Sequence, residues 1–483
     1  MKKNKLIAIA IATSLLLGGC PTSKIESFTC APTETNSESP TSDNIADSVT
    51  QVNASENIPN TITQPTRSED LKISIHVDGS GSMVGYVENS ESRYIRTLQI
   101  IRSVFTTATA KNSKVKYYRS GDREGVDSVN QEIEPDQLPQ AENKIFYANN
   151  DNFPGVSSAL AKVIIPKYQE EEELLVMVTD LVPNQGEVTA INQVIKNDYL
   201  TKPGYAAAIV GIKSEFNDKV YVPIAQGEQR DFFYNNERPF YVMLLGPYQE
   251  ISYFLDKLNF SEQFTGKTET IIFAPDKLIE NPVYLDKQVN NPDNNKLNYR
   301  ENSLDNGQSR VEVRDSHSQL WEITNNEQKI EIKDEVKIEL SKYSLDIDNN
   351  NLKANIAEIK AFNLLSREFE QANGVDLSQL ESALNLHSWE IDPDNQQLSF
   401  INTINPKQFP ESGIYLFTFD IVVQEPQLPE WVKEWSQDFG SRDDGSKTQN
   451  LLMLLEGLKN TTITSSQGNS NVIGRFCYAF SLK

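Results

Sequence analysis

The chain has 483 residues, 38% of them apolar, which is length for two to three domains with part of the chain left outside any core. Its 45 basic and 68 acidic residues give a net charge of −23, and such a surface repels phosphate backbones and argues against nucleic acid as a partner. Three His and three Cys exclude zinc clusters and multi-disulfide frameworks.

The N-terminus reads as an address. Lys2, Lys3 and Lys5 precede an apolar run over residues 6–17, too short to span a bilayer and suited to a signal-peptide core. The run ends in Leu17-Gly18-Gly19-Cys20, which resembles the bacterial lipobox. That resemblance implies cleavage after residue 19 and lipidation of the Cys20 thiol, with the lipid as the attachment to a bacterial membrane facing the periplasm or the cell surface. Residues 20–69 are rich in Ser, Thr, Asn and Pro with no hydrophobic spacing, so a disordered tether is expected. Cys30 and Cys477 either pair in that oxidising compartment or stand as free thiols.

Residues 71–77 are short and β-branched, a strand, and run directly into Asp78-Gly79-Ser80-Gly81-Ser82. Apolar residues recurring at three and four predict a helix over 92–110. Strands follow at 115–118 and 144–147, then a helix over 156–168. Residues 174–178 are continuously apolar, as in a strand buried on both faces, and stop at Thr179-Asp180. A helix over 189–200, strands at 205–212 and 239–245 and a helix over 248–258 complete the pattern. Alternating strands and helices predict a doubly wound, mostly parallel α/β sheet, Rossmann-like in layout, with ligands at the carboxyl ends of its strands. Asp78 and Asp180 both lie there.

Asp78-x-Ser80-x-Ser82 after the first strand, with Thr179-Asp180 after a later one, resembles a von Willebrand factor type A domain over residues 70–262. The residues themselves offer two hydroxyls and two carboxylates, hard oxygen donors suited to Mg²⁺ or Mn²⁺, with Ca²⁺ a further candidate. The resemblance implies an adhesion site at which an acidic side chain of a protein partner completes the metal's coordination. The competing reading makes Ser80 and Ser82 helix caps and Asp78 a turn support. The family's third loop offers Thr about five residues before an Ala-Leu pair. Counting back from Ala159-Leu160 gives Pro154, which has no side-chain oxygen, so Asp151 or Asn152 substitutes or that ligand is missing. A metal-free assembly subunit of an envelope complex is the alternative function. Enzyme readings are weaker. His76 is the base nearest to Ser80 and Ser82 in sequence, but it falls inside a strand as a core histidine, and no P-loop motif occurs.

Residues 263–483 alternate short apolar runs with turns, a β-rich domain of immunoglobulin-like sandwich kind. A hairpin is expected at 389–400, strands at 336–340, 415–423 and 476–482, and a helical insertion over 428–458 with Trp431 and Trp435 in its core. Residues 352–369 favour a helix. The Asp-rich turns at 346–350 and 392–394 lack the Gly and Glu of a calcium loop and read as solvated turns.

Overall fold

The computed structural model describes residues 67–483 apart from 111, 124–129, 168–171, 183–184, 224–228, 276, 278–282, 286–297, 301–302, 306–309, 313–316, 325–327, 341–344, 367, 373–376, 394, 439–443 and 466–471. The signal segment, Cys20, Cys30 and the tether up to residue 66 lie outside the described residues.

The first unit contains β1 (Lys72–Asp78), α1 (Arg93–Thr107), β2 (Lys114–Ser120), β3 (Asn130–Ile133), α2 (Leu160–Val163), β4 (Glu173–Thr179) and α3 (Gln185–Ile195). It continues with β5 (Tyr205–Pro223), β6 (Gln229–Pro247), α4 (Tyr248–Leu258), α5 (Phe260–Gln263) and β7 (Thr268–Phe273). Its strands form one seven-stranded sheet in the order β3-β2-β1-β4-β6-β5-β7. β1 lies parallel to β2 and β4, while the remaining pairs are antiparallel. The sheet is therefore mixed, not mostly parallel. One cause is the β5–β6 hairpin. Its strands stay paired from Tyr205↔Pro247 to Pro223↔Gln229, and a short connection joins strands only antiparallel. The expected strands at 205–212 and 239–245 are the sheet-bound ends of this long arm.

Alternation along β4 divides the core. Leu174, Val176 and Val178 face one layer, and Leu175 and Met177 the other. α1 and α4 cover the first face, where the Phe105 and Phe254 rings stack 4.5 Å apart. The expected strand at 144–147 is instead a 3₁₀ turn over Lys144–Phe146. Tyr147 behind it donates to the Ala141 carbonyl at 2.7 Å, so its side chain anchors a turn. The helix expected over 156–168 shrinks to α2, because an antiparallel bridge between Asp122 and Ser157 holds the chain before it extended and Pro166 follows it.

The C-terminal part contains β8 (Val283–Tyr284), β9 (Asn298–Tyr299), β10 (Ser303–Asp305), β11 (Arg310–Glu312), β12 (Ser318–Ile323), β13 (Ile330–Lys337), β14 (Leu352–Asn363) and β15 (Glu368–Gln371). After α6 (Leu377–Glu381) come β16 (Leu384–Asp392), β17 (Gln397–Ile404), β18 (Gly413–Val423), α7 (Glu430–Trp435), β19 (Ser436–Gln437), β20 (Thr448–Gln449), α8 (Leu451–Ser465) and β21 (Val472–Leu482). A seven-stranded sheet built around β14, β18, β21 and β12 packs on the three-stranded sheet β13-β17-β16. Phe400 of β17 stacks on Phe476 of β21 at 4.9 Å. The hairpin expected at 389–400 is β16–β17. β12 runs parallel to β21, which departs from the antiparallel sheets of an immunoglobulin sandwich. Residues 352–363 are a strand, not the favoured helix, since β14 is paired along its length with β18.

The two parts share a core. The edge strand β7, beyond residue 262, pairs with β5, so the first sheet runs past the expected boundary. Leu451, Leu454, Leu455 and Leu458 of α8 join one buried cluster with Ile191 and Ile195 of α3 and Met177 of β4. α8 therefore covers the second face of the first sheet, although it lies more than 170 residues after β7 in sequence. Trp435 sits against Gly211 of β5, where an added Cβ would lie 2.8 Å from its ring, so only glycine admits the indole. At the other end of the sheet, Arg67 binds Glu250 through Nε and Nη2 at 3.1 and 3.0 Å and lies over the Tyr253 ring. The chain enters β1 at the end opposite Asp78.

Candidate functional site

β1 ends in Asp78 because six of its seven residues are buried and the acid closes the run at the sheet's carboxyl edge. Asp78 itself is buried, and both of its carboxylate oxygens accept hydrogen bonds. Oδ1 accepts the Ser80 amide at 2.9 Å. Oδ2 accepts the Thr179 hydroxyl at 2.8 Å and the Ser158 hydroxyl at 3.1 Å. Three loops thus converge on one carboxylate.

The helix-cap reading of the serines does not hold. Ser80 precedes a 3₁₀ turn, Gly81–Val87, but makes no side-chain cap bond; its Oγ lies 3.0 Å from Ser82 Oγ instead. α1 is capped by Ser92, whose side chain accepts the Ile95 amide. The two motif hydroxyls are paired on the cleft side and free of backbone duty. Beneath them Arg119, buried in the sheet, donates to the carbonyls of Gly79 at 3.0 Å and Phe146 at 2.8 Å. A Cβ at Gly79 would lie 2.8 Å from the Arg119 side chain, so the glycine is required by this close approach.

β4 delivers the opposite wall. Thr179 and Asp180 are buried, and Leu181 follows with φ 49°. A bulky residue in the left-handed region costs about 1–3 kcal/mol and persists only where surroundings impose it. Here the Leu181 amide donates to Thr179 Oγ1 at 3.1 Å and its side chain is fully buried. The strained turn fixes Asp180 at the cleft. Burial pushes the Asp180 carboxyl up to about 6; the nearby Arg238 guanidinium opposes this, and the Asp78 charge adds to it. Arg238 Nη2 lies 4.0 Å from Asp180 Oδ2.

Ser80, Ser82, Ser158, Asp180, Glu187 and Tyr221 line a cleft of about 420 Å³. Tyr221 comes from the projecting half of the β5–β6 arm, which stands beside the opening. The donors are Asp180 and Glu187 in the cleft wall, Asp78 buried behind it and several neutral hydroxyls, a hard oxygen set whose chemistry fits Mg²⁺ or Mn²⁺. Among the described residues no group of three or more His, Cys, Asp or Glu converges on a point.

Of the residues expected from sequence, Asp78, Ser80, Ser82 and Asp180 come together. Asp151 does not join them: it is exposed, and it is not among the residues lining the cleft. The third loop supplies its hydroxyl from Ser158 instead. The Asp122–Ser157 bridge, with amide–carbonyl bonds of 2.7 and 2.9 Å, pins the loop so that the next side chain meets Asp78. Arg119, Arg238 and Tyr221 were also missed. Only the adjacency of Ser157-Ser158 to Ala159-Leu160 offered a signal in sequence. His76 is buried, with Nδ1 2.9 Å from Ser120 Oγ, and burial lowers it to about 3. It faces Ser120 and Asn130, not Ser80 or Ser82. Trp431 and Trp435 are buried core residues, their rings in edge contact at 5.4 Å. Cys477 is disulfide-bonded; the proposed partner, Cys30, lies outside the described residues. Among those residues, no helix is long and apolar enough to cross a membrane.

No protein-family model matches the chain, and no curated protein is similar to it.

Proposed function

We propose that the chain is a lipid-anchored bacterial envelope protein whose first unit, a type A-like domain, binds another protein through a divalent ion, Mg²⁺ or Mn²⁺. Asp78, Ser80, Ser82, Ser158, Thr179 and Asp180 would hold the ion directly or through water, and an acidic side chain of the partner would complete its coordination. The observation that carries this reading is the convergence of three loops on Asp78, with the Ser80 and Ser82 hydroxyls released from helix capping. Hydroxyls left in a cleft beside two carboxylates are what a hard cation needs.

The direction of β1 adds support. The tether would join at the Arg67 end and the cleft opens at the Asp78 end, a strand length of roughly 20 Å away. A tether from Cys20 would then attach at the sheet end opposite the cleft and leave the cleft unobstructed.

A second reading, a metal-independent assembly subunit, is favoured by one observation: the Asp180 charge already has a buried guanidinium near it. The readings separate in a capture experiment from envelope extract, with wild type, Asp78→Ala and added chelator. The first requires a partner lost in both perturbed arms. A partner retained in both supports the second.

A further inference from the structure

Arg238 is an unexpected side chain. It lies in β6 just before Pro239, is only 2% exposed, and places its guanidinium beside the cleft. Its guanidinium is divided. Nη2 approaches Asp180 Oδ2 at 4.0 Å, while Nη1 donates to the carbonyls of Gly445 at 3.0 Å and Lys447 at 3.4 Å. These carbonyls belong to the C-terminal part, more than 200 residues away.

The segment that supplies them is itself docked on the first sheet. Tyr241 donates to Thr448 Oγ1 at 2.9 Å. Gly445 lies so close to the Tyr234 ring that an added Cβ would be 2.3 Å from it, so the backbone can reach Arg238 only with glycine there. β19 and β20 pair Ser436 with Thr448 and Gln437 with Gln449, fixing the segment between α7 and α8. The guanidinium is therefore kept from water by the segment whose carbonyls satisfy it.

A divalent ion at Asp180 would meet this positive charge across only a few ångströms in a poorly hydrated site, where charges act strongly on one another. Resting on the metal-site reading above, we infer that Arg238 is a resident cation of the cleft, held beside Asp180 by the docked 445–448 segment. The docking of that segment sets how tightly the cleft binds a divalent ion. Arg238 is a positioning residue in this scheme: it offsets Asp180 when no ion is present and opposes the ion when one arrives. The C-terminal part thereby controls the cleft of the first unit without lining it.

The test is calorimetric titration of the full mature chain with Mn²⁺, alongside thermal melts with and without the ion. Arg238→Met removes the opposing charge, and Mn²⁺ should bind at least about tenfold tighter, with the apo protein less stable and the ion restoring it. Arg238→Lys keeps the charge and should stay within about threefold of wild type. Gly445→Ala pushes the segment off Tyr234, frees the guanidinium toward water and should tighten binding in the same direction as Arg238→Met, by less. Should Arg238→Met fail to fold, the Lys and Gly445 variants decide the matter. Unchanged affinity in Gly445→Ala, or tightening in Arg238→Lys equal to that in Arg238→Met, overturns the inference. Wild-type binding that is lost in Asp78→Ala keeps the metal reading standing in that event. No binding to wild type or to any variant at millimolar Mn²⁺ removes both.

Discussion

Thr179 and Ser158 donate to the same carboxylate oxygen, yet their loss should have opposite emphasis. Thr179 is fully buried, donates to Asp78 Oδ2 at 2.8 Å and accepts the Leu181 amide at 3.1 Å. Thr179→Val keeps the shape and removes the hydroxyl. A hydrogen bond to a charged acceptor is worth about 1.5–3 kcal/mol, and a buried amide left unpaired costs about 1–3 kcal/mol. Relaxation of the strained Leu181 turn returns part of this, of order 1 kcal/mol. The expected net loss is about 3 kcal/mol. Ser158 is half-exposed and donates at 3.1 Å, so water can replace it. Ser158→Ala should cost under about 1 kcal/mol while lowering divalent-ion affinity roughly tenfold through the lost neutral oxygen. Urea unfolding in chelator measures the first quantity and Mn²⁺ titration the second. Thr179→Val within about 0.5 kcal/mol of wild type, or Ser158→Ala costing more than Thr179→Val, would refute the assignment of Thr179 as the buried support.

Acid stability should report His76. Its folded pKa is about 3 against an ordinary 6.5, so the stability it contributes is present above pH 6.5 and is lost as pH falls toward 3, by at most about 1.4 kcal/mol per unit. Asp180, raised to about 6 from 3.8, works in the opposite sense: its contribution is present below pH 3.8 and lost as pH rises through 6. The difference between wild type and His76→Phe, which keeps a ring against Tyr118, isolates the histidine; identical slopes between pH 6.5 and 5 would contradict its neutral burial. Leu455→Ala in α8 should destabilise by about 2–5 kcal/mol and shift a single melting transition, since α8 and the first sheet share one core; two separate transitions would deny that sharing. Alkylation of unreduced protein unfolded in denaturant should leave Cys477 unmodified, and Cys30→Ser should free it; since Cys477 is buried in the folded protein, only a Cys477 that stays protected in denatured Cys30→Ser excludes Cys30 as its partner.

The parts of this fold legible in sequence are those set locally. The apolar run 174–178 could only be a strand buried on both faces, and it is. The spacing in 248–258 matches α4 residue for residue. Asp78 and Asp180 were readable because an acid that ends a buried strand stands at the sheet's edge. What sequence hid depends on distant partners. Leu352, Ile356 and Ile359 fit a helical face, yet β18 draws the segment into a strand. The outer half of the β5–β6 arm buries Phe216, Val220 and Val222 on one face, but Asn217-Asp218-Lys219 and Asn235-Asn236 break the apolar pattern into turn-like pieces, which hid the arm. Ser158 was missed because a count from Ala159-Leu160 pointed to Pro154, whereas the loop's path is fixed by a bridge to Asp122. Arg238 is held by carbonyls from the other part of the chain, a relation that no window of sequence contains; a charge set against an apolar strand was its sole trace.

The central claim is that the cleft holds a divalent ion on Asp78. Calorimetric titration of the mature wild-type chain with Mg²⁺ and Mn²⁺, beside Asp78→Ala, tests it most directly. The account predicts saturable binding of one ion by wild type, weak, in roughly the 10⁻⁴–10⁻³ M range seen for modest extracellular cation modules, and none by Asp78→Ala. Absence of binding by wild type at millimolar ion, or undiminished binding by Asp78→Ala, would contradict it.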